Sequence, residues 1–286
     1  MSIAYNKQGT IRPIGSLVGT KRMQDIYFWN GNKSPARQSY ELAILKACLN
    51  VTNEEFGSVN VRVDNTDYPG ADDEANIFLS GADVLVTVAG NIKFKDKQKL
   101  VIPQPLTKGL LGYRLILIRD EFLTKFAQIK ESLQLQTLSI GIPQTWADAD
   151  LFRHNRYKVI EGGTIDDLFL LLKKSTFDYL ALGVNEIEEI FNHSAVPIGG
   201  ISIEPSLMLY YPFPLVFYVN SCKPVLAKRI EKGIKVIITN GEHETLFSHH
   251  HGDVVQRLNL RNRKILTLTN PMLPPDMADF SANLLD

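Results

Sequence analysis

Residues 83–89 read DVLVTVA, a nearly continuous apolar run of strand length that stops at Gly90 and Asn91. A strand apolar on both faces belongs inside a parallel sheet covered by helices on either side, not in a half-solvated sheet. In open α/β sheets of that kind, ligands collect beyond the carboxyl ends of the strands, where glycine lets backbone come close. Gly90 and Asn91 are therefore the first candidate ligand contacts.

The flanking segments keep the same rhythm. Residues 24–29 are strand-like and end at Trp29 and Asn30. The turn GNKSP (31–35) follows, with a Ser-Pro pair suited to a first helical turn. Residues 40–49 carry apolar side chains at helical intervals, residues 59–63 alternate as a half-buried strand, and residues 73–79 suggest a short helix. Residues 110–119 form a long strand that carries the chain out of this first block.

A second block repeats the class. Strands are predicted over 137–142, 157–160 and 177–183, and helices from 144, over 164–173 and over 186–191. Thr164 and Asp167 make a capping box for the middle helix. Pro212 and Pro214 interrupt the apolar stretch 207–219, which fits a return crossover better than a sheet interior. Terminal helices over 226–238 and 242–247 and an extended piece over 263–268 complete an α/β architecture of two lobes. Residues 1–24 show no period and read as a loosely structured lead-in. We expect lobe one to hold residues 1–119 plus 214–286, lobe two residues 120–213, with two crossing segments between them.

Composition narrows the function classes. With 286 residues the chain is long enough for two cores. Its 31 Lys and Arg balance 31 Asp and Glu, leaving no electrostatic footprint for a nucleic-acid backbone or an anionic membrane. No run approaches the roughly 20 apolar residues of a membrane span. The first ten residues show no secretory signal, so the chain is expected to be cytosolic or to have had its signal removed.

Several stretches resemble a known family. They are YELAILKACL (40–49), PLTKGLLGYRL (105–115), QTWAD (144–148), FDY (177–179) with GVNE (183–186), LYYP (209–212), LAKRIEKG (226–233) and NPMLPP (270–275). In these the chain resembles family 3 solute-binding proteins of the type II periplasmic-binding-protein fold, closest to a subgroup described as transporter substrate-binding domain proteins. The resemblance implies a bilobed periplasmic receptor, its signal removed, that closes on a small polar solute. It would hand that solute to an ABC permease, or report it to a signalling partner. Neither cofactor nor nucleic acid is implied, and a monomer is expected.

Amino-acid-binding members of that family carry a Thr-x-x-Arg element after the strand that ends here at Ala89. This chain has NIKFKDKQK (91–99) instead, and lysine lacks the bidentate fork that grips a carboxylate. An acidic contact to a ligand amine near position 185 is replaced by Asn185, next to Glu186, which points away from standard amino-acid binding.

Candidate ligand contacts are Trp29, Asn30, Gly90, Asn91, Lys108, Arg114, Thr145, Trp146, Asn185, Glu186 and Tyr211. Backbone N–H groups at the turn holding Thr145 and Trp146 suit polar oxygens, and Trp146 suits a planar or sugar face. The competing reading makes Thr145 and Asn185 helix caps, Glu186 a first-turn complement to the helix dipole, and Trp146 a core plug. Arg114 is open between a cleft contact and an interlobe ion pair, and Tyr211 between an aromatic wall and packing. His249, His250 and His251 sit about 100 degrees apart around a helix and do not converge on a metal. Cys48 and Cys222 are expected as two separate buried thiols, with a long-range disulfide as the alternative. No nucleophile elbow, His-Glu-x-x-His pair or phosphate loop is present, so an enzyme is not expected.

Overall fold

The computed structural model describes residues 24–68, 70–282 and 284–285. The expected lead-in thus lies outside the described residues, apart from Gln24. Eleven strands follow in chain order: β1 (Gln24–Trp29), β2 (Val59–Asp64), β3 (Val84–Val88), β4 (Lys99–Ile102), β5 (Tyr113–Arg119), β6 (Ser139–Ile142), β7 (Lys158–Glu161), β8 (Tyr179–Gly183), β9 (Ile201–Tyr210), β10 (Leu215–Asn220) and β11 (Lys264–Thr267).

The helices between them are α1 (Pro35–Asn50), α2 (Asn53–Phe56), α3 (Ala71–Ala75), α4 (Leu123–Ala127), α5 (Ser132–Gln136), α6 (Asp148–His154), α7 (Ile165–Lys173) and α8 (Ile187–Ile190). Three more close the chain: α9 (Pro224–Thr239), α10 (Glu242–His251) and α11 (Val254–Arg257).

The strands make two sheets, ordered β2-β1-β3-β10-β4 and β11-β9-β5-β8-β6-β7. As its apolar run predicts, β3 is buried along its whole length. It lies parallel to β1 and antiparallel to β10, so the first sheet is mixed. Ser34 caps α1 by accepting from the Arg37 N–H, with Pro35 in the first turn. Helices α1 and α9 cover one face so closely that a Cβ on Gly233 would lie 2.3 Å from the Cys48 carbonyl oxygen. In the second sheet, the Thr164 and Asp167 capping box opens α7 as the spacing predicts.

Besides the mixed first sheet where a parallel one was expected, four sequence expectations change. Residues 110–112 form a 3-10 turn, and β5 then runs inside the second sheet between β8 and β9, so the chain leaves the first sheet before this strand and not after Arg119. Strand β9 begins at Ile201, earlier than expected. Its pairing with β5 shifts register between Leu115 and Leu117, and the bulge absorbs Pro205, which cannot donate to a ladder. Strand β11 pairs parallel with β9 and so joins the second sheet, where it covers an edge and buries Leu266. Cys222 is exposed while Cys48 is buried, and both thiols are free.

After β11 the chain returns towards the first sheet. Asn270 donates to the Pro212 carbonyl at 2.8 Å, and Met277 is buried in a cluster with Trp29, Leu85, Phe94 and Tyr218. No helix among the described residues is long and apolar enough to cross a membrane.

Candidate functional site

The two sheets meet where β5 begins. Arg114, the second residue of that strand, is opposite Gly183 on β8 and Leu209 on β9, which fixes its backbone in the middle of the second sheet. Its side chain is 2% exposed. The Nη2 atom lies 2.9 Å from Asp148 at the start of α6, and Nη1 lies 3.6 Å from Glu186 just before α8. The guanidinium plane also stands 5.4 Å from the ring centres of both Tyr211 and Phe213, within cation–π range.

Tyr211 in turn donates its hydroxyl to Asp148. Burial pushes the Tyr211 phenol well above its ordinary range, so it remains a donor. Burial also pushes the Glu186 carboxyl up, against the pull of Arg37 and Arg114.

A second cationic group reaches the same place from α1. Arg37 donates through Nε and Nη2 to Glu41 at 3.0 and 2.9 Å, and its positive charge also acts on Glu186. Lys33 donates to the other Glu41 oxygen at 2.6 Å and to the Val86 carbonyl at 3.2 Å. Burial holds the Lys33 ammonium below its ordinary range, only partly offset by Glu41. Around the junction, Lys33, Arg37 and Arg114 thus face Glu41, Asp148 and Glu186, three cations against three carboxylates.

Not every polar atom here finds a partner. Among the described residues, Nε and Nη1 of Arg114 and Oδ1 of Asn185 are buried at this place without a hydrogen bond. Such atoms cost about 1–3 kcal/mol each unless water or a ligand meets them. Asn185 Oδ1 and Glu186 Oε1 both lie beside Gly183: a Cβ placed there would be 2.7 and 3.2 Å from them. Donors that need acceptors and acceptors that need donors are thus gathered at the sheet junction.

Of the eleven sequence candidates, the structure brings Arg114, Glu186, Tyr211 and Asn185 to this junction. Asn185 does not cap α8, because Glu186 stands at the cap position. Nor does Thr145 cap α6; it adopts a left-handed backbone (φ 69°), and Ala147 holds the cap position. Trp146 is half-buried against the main core.

The first-lobe candidates make contacts within the scaffold. Trp29 is buried and donates its indole N–H to the Thr66 carbonyl at 3.0 Å. Asn30 donates to the Gln38 carbonyl at 3.0 Å. Asn91 donates to Thr87 at 2.8 Å and accepts from the Lys93 N–H. Gly90 lies directly under the Met272 carbonyl, which a Cβ would approach to 1.7 Å. Lys108 pairs with Glu244 and stacks 4.6 Å over Phe247. His251 packs edge-on to Tyr40, 4.9 Å between ring centres.

Lys33, Arg37, Glu41, Asp148 and Phe213 are absent from the sequence candidates. Arg37 and Glu41 had a signal, the i, i+4 spacing of an ion pair on α1. Asp148 closes the QTWAD stretch, but nothing in one dimension pairs it with Arg114. A separate hollow of about 250 Å3 lies at the far end of the first sheet, near Gln24, Asp83 and Cys222, away from this chemistry.

Two sheets flanked by helices, joined at β5 and β9 over a junction of convergent polar groups, define the type II periplasmic-binding-protein fold. Solved structures agree. The chain is similar to an ancestral arginine-binding protein bound to glutamine, with a TM-score of 0.57 at 15% identity over 80% of this chain and 98% of that one. It is similar to a histidine kinase sensor domain with similarity to periplasmic binding proteins, with a TM-score of 0.56 at 12% identity over 81% and 97%. A variant of ArgBP from T. maritima matches with a TM-score of 0.54 at 13% identity over 80% and 95%. No family model matches the chain, and no curated protein does.

Proposed function

We propose that this chain is an extracytoplasmic receptor that closes on a small polar solute and passes it to an ABC-type transporter. The observation that carries the reading is Arg114, a fully buried guanidinium at the sheet junction with two nitrogens lacking hydrogen-bond partners and Asn185 Oδ1 unpaired nearby. A permanent charge in such a place is costly unless further partners arrive, and a bound solute supplies them. Solved neighbours named as parts of amino-acid ABC transporters support the transport role. The chemistry is binding without turnover, with residues converging on a guest and none set up as nucleophile and base.

A second reading is favoured by one specific likeness, that to the kinase sensor domain. The same body would then report its ligand to a membrane signalling partner. Binding tests both: a thermal-shift screen of amino acids, sugars, polyamines and small peptides should find a compound that raises Tm, because a ligand bound only to the folded state stabilises it. Arg114→Lys should abolish that shift. A folded wild-type protein that responds to none of these compounds overturns the reading. Capture of the liganded protein by a permease supports transport, and capture by a kinase or cyclase supports sensing.

A further inference from the structure

We infer that the cleft is closed by the protein's own carboxylates, and that the guest it admits carries no negative charge. This rests on the receptor reading above and concerns the same site. Two acidic side chains of α8, Glu188 and Glu189, reach α11 and α1, and Glu186 just before them pairs with β5 of the second sheet. Glu186 lies 3.6 Å from Arg114 and faces the charge of Arg37 on α1. Glu188 accepts from Arg257 on α11, with 2.7 Å to Nη2 and 2.8 Å to Nε. Glu189 accepts the Ala36 N–H at 3.1 Å, in the first turn of α1. That N–H lies at the positive end of a 16-residue helix, where an anion is favoured.

Each of the three cations at the junction therefore already has a carboxylate beside it. Asp148 and Glu186 hold Arg114, Glu41 holds Lys33 and Arg37, and Glu189 holds the start of α1. An added carboxylate would leave a surplus negative charge among buried groups, which is strongly unfavourable away from water. The unpaired atoms ask for something else. Nε and Nη1 of Arg114 need acceptors, while Oδ1 of Asn185 needs a donor. Hydroxyl or amide groups provide both without adding negative charge.

The test compares the full chain with Glu186→Ala, and with Glu189→Ala as the surface variant that keeps the buried network. Each is melted in sodium acetate and in sodium chloride at equal ionic strength. Acetate should raise Tm by about 1–4 °C over chloride in the variants, by refilling the vacated carboxylate position, and leave the wild type unmoved. Equal stabilisation of the wild type, or none in either variant, overturns the inference. Small-angle scattering should show the ligand-free wild type compact, and a triple variant lacking Glu186, Glu188 and Glu189 expanded; an expanded wild type overturns the closure. Failure of the receptor reading looks different, since the solute screen then finds nothing while the acetate response persists. A screen whose hits are all anions supports the receptor and overturns the inference.

Discussion

Arg114 on β5 and Asp148 at the start of α6 lie 2.9 Å apart with both side chains buried, joining a strand of one crossing to the first turn of a helix 34 positions later. Around this pair stand Glu186 and Tyr211, with the Phe213 ring against the guanidinium.

Removing the cation should be far worse than removing a carboxylate. Arg114→Met leaves Asp148 buried without its counter-charge and Glu186 with Arg37 alone, at a cost of about 3–5 kcal/mol. The double variant Arg114→Met with Asp148→Leu should recover a large part of that loss. Urea denaturation of the single and double variants measures the coupling, and additive losses would show that the pair is not energetically joined.

Two asparagine and tryptophan substitutions separate binding from folding. Asn185→Ala deletes an unpaired acceptor at the junction and should leave stability within about 1 kcal/mol of wild type, while the response to a ligand found by screening is lost. Trp29→Ala opens a cavity in a buried cluster and should cost about 3–5 kcal/mol. Thermal melts with and without ligand distinguish these outcomes; intact binding in Asn185→Ala places the guest elsewhere.

Two glycines are fixed by close approach. Gly90 has φ +76° and the Met272 carbonyl against it, so Gly90→Ala should lower stability by about 1–3 kcal/mol and loosen the segment after β11. Gly233→Ala should force α1 and α9 apart at Cys48, at about 1–3 kcal/mol. Faster alkylation of Cys48 in Gly233→Ala checks the second, because that thiol is otherwise buried.

Acid sensitivity should come from the α10 histidines. Burial lowers the His251 pKa to about 4, from an ordinary 6.5, with His250 and Arg257 adding to the effect. Below 6.5 the unfolded chain takes up a proton that the folded one refuses, so stability falls by up to about 1.4 kcal/mol per pH unit down to pH about 4. Burial pushes His243 and His250 in the same direction. Glu186 acts with the opposite sign, since its raised carboxyl takes up a proton first in the folded state. His251→Leu should flatten the loss between pH 6.5 and 4 in urea titrations; an unchanged slope would rule this histidine out.

Much of the architecture was legible from local pattern. The run DVLVTVA is buried throughout, Ser34 and Thr164 cap the helices they precede, and the terminal helix expected over 226–238 forms as Pro224–Thr239. Such features depend on neighbours a few positions away, so one dimension suffices. Cys222 and β11 were misplaced because burial and sheet membership depend on what arrives from distant sequence.

The candidate site divides in the same way. Arg114, Asn185, Glu186 and Tyr211 could be picked out as polar or aromatic residues at strand ends and crossings, and the type II fold could be expected from motif order. Which cation meets which carboxylate is a matter of tertiary structure alone. Asp148 and Arg114 are brought together by the stacking of β5 and α6 around Tyr211, and Glu189 meets Ala36 only because two lobes face one another. Ion pairing acts over a few ångströms in space, and distance along the chain carries no trace of it.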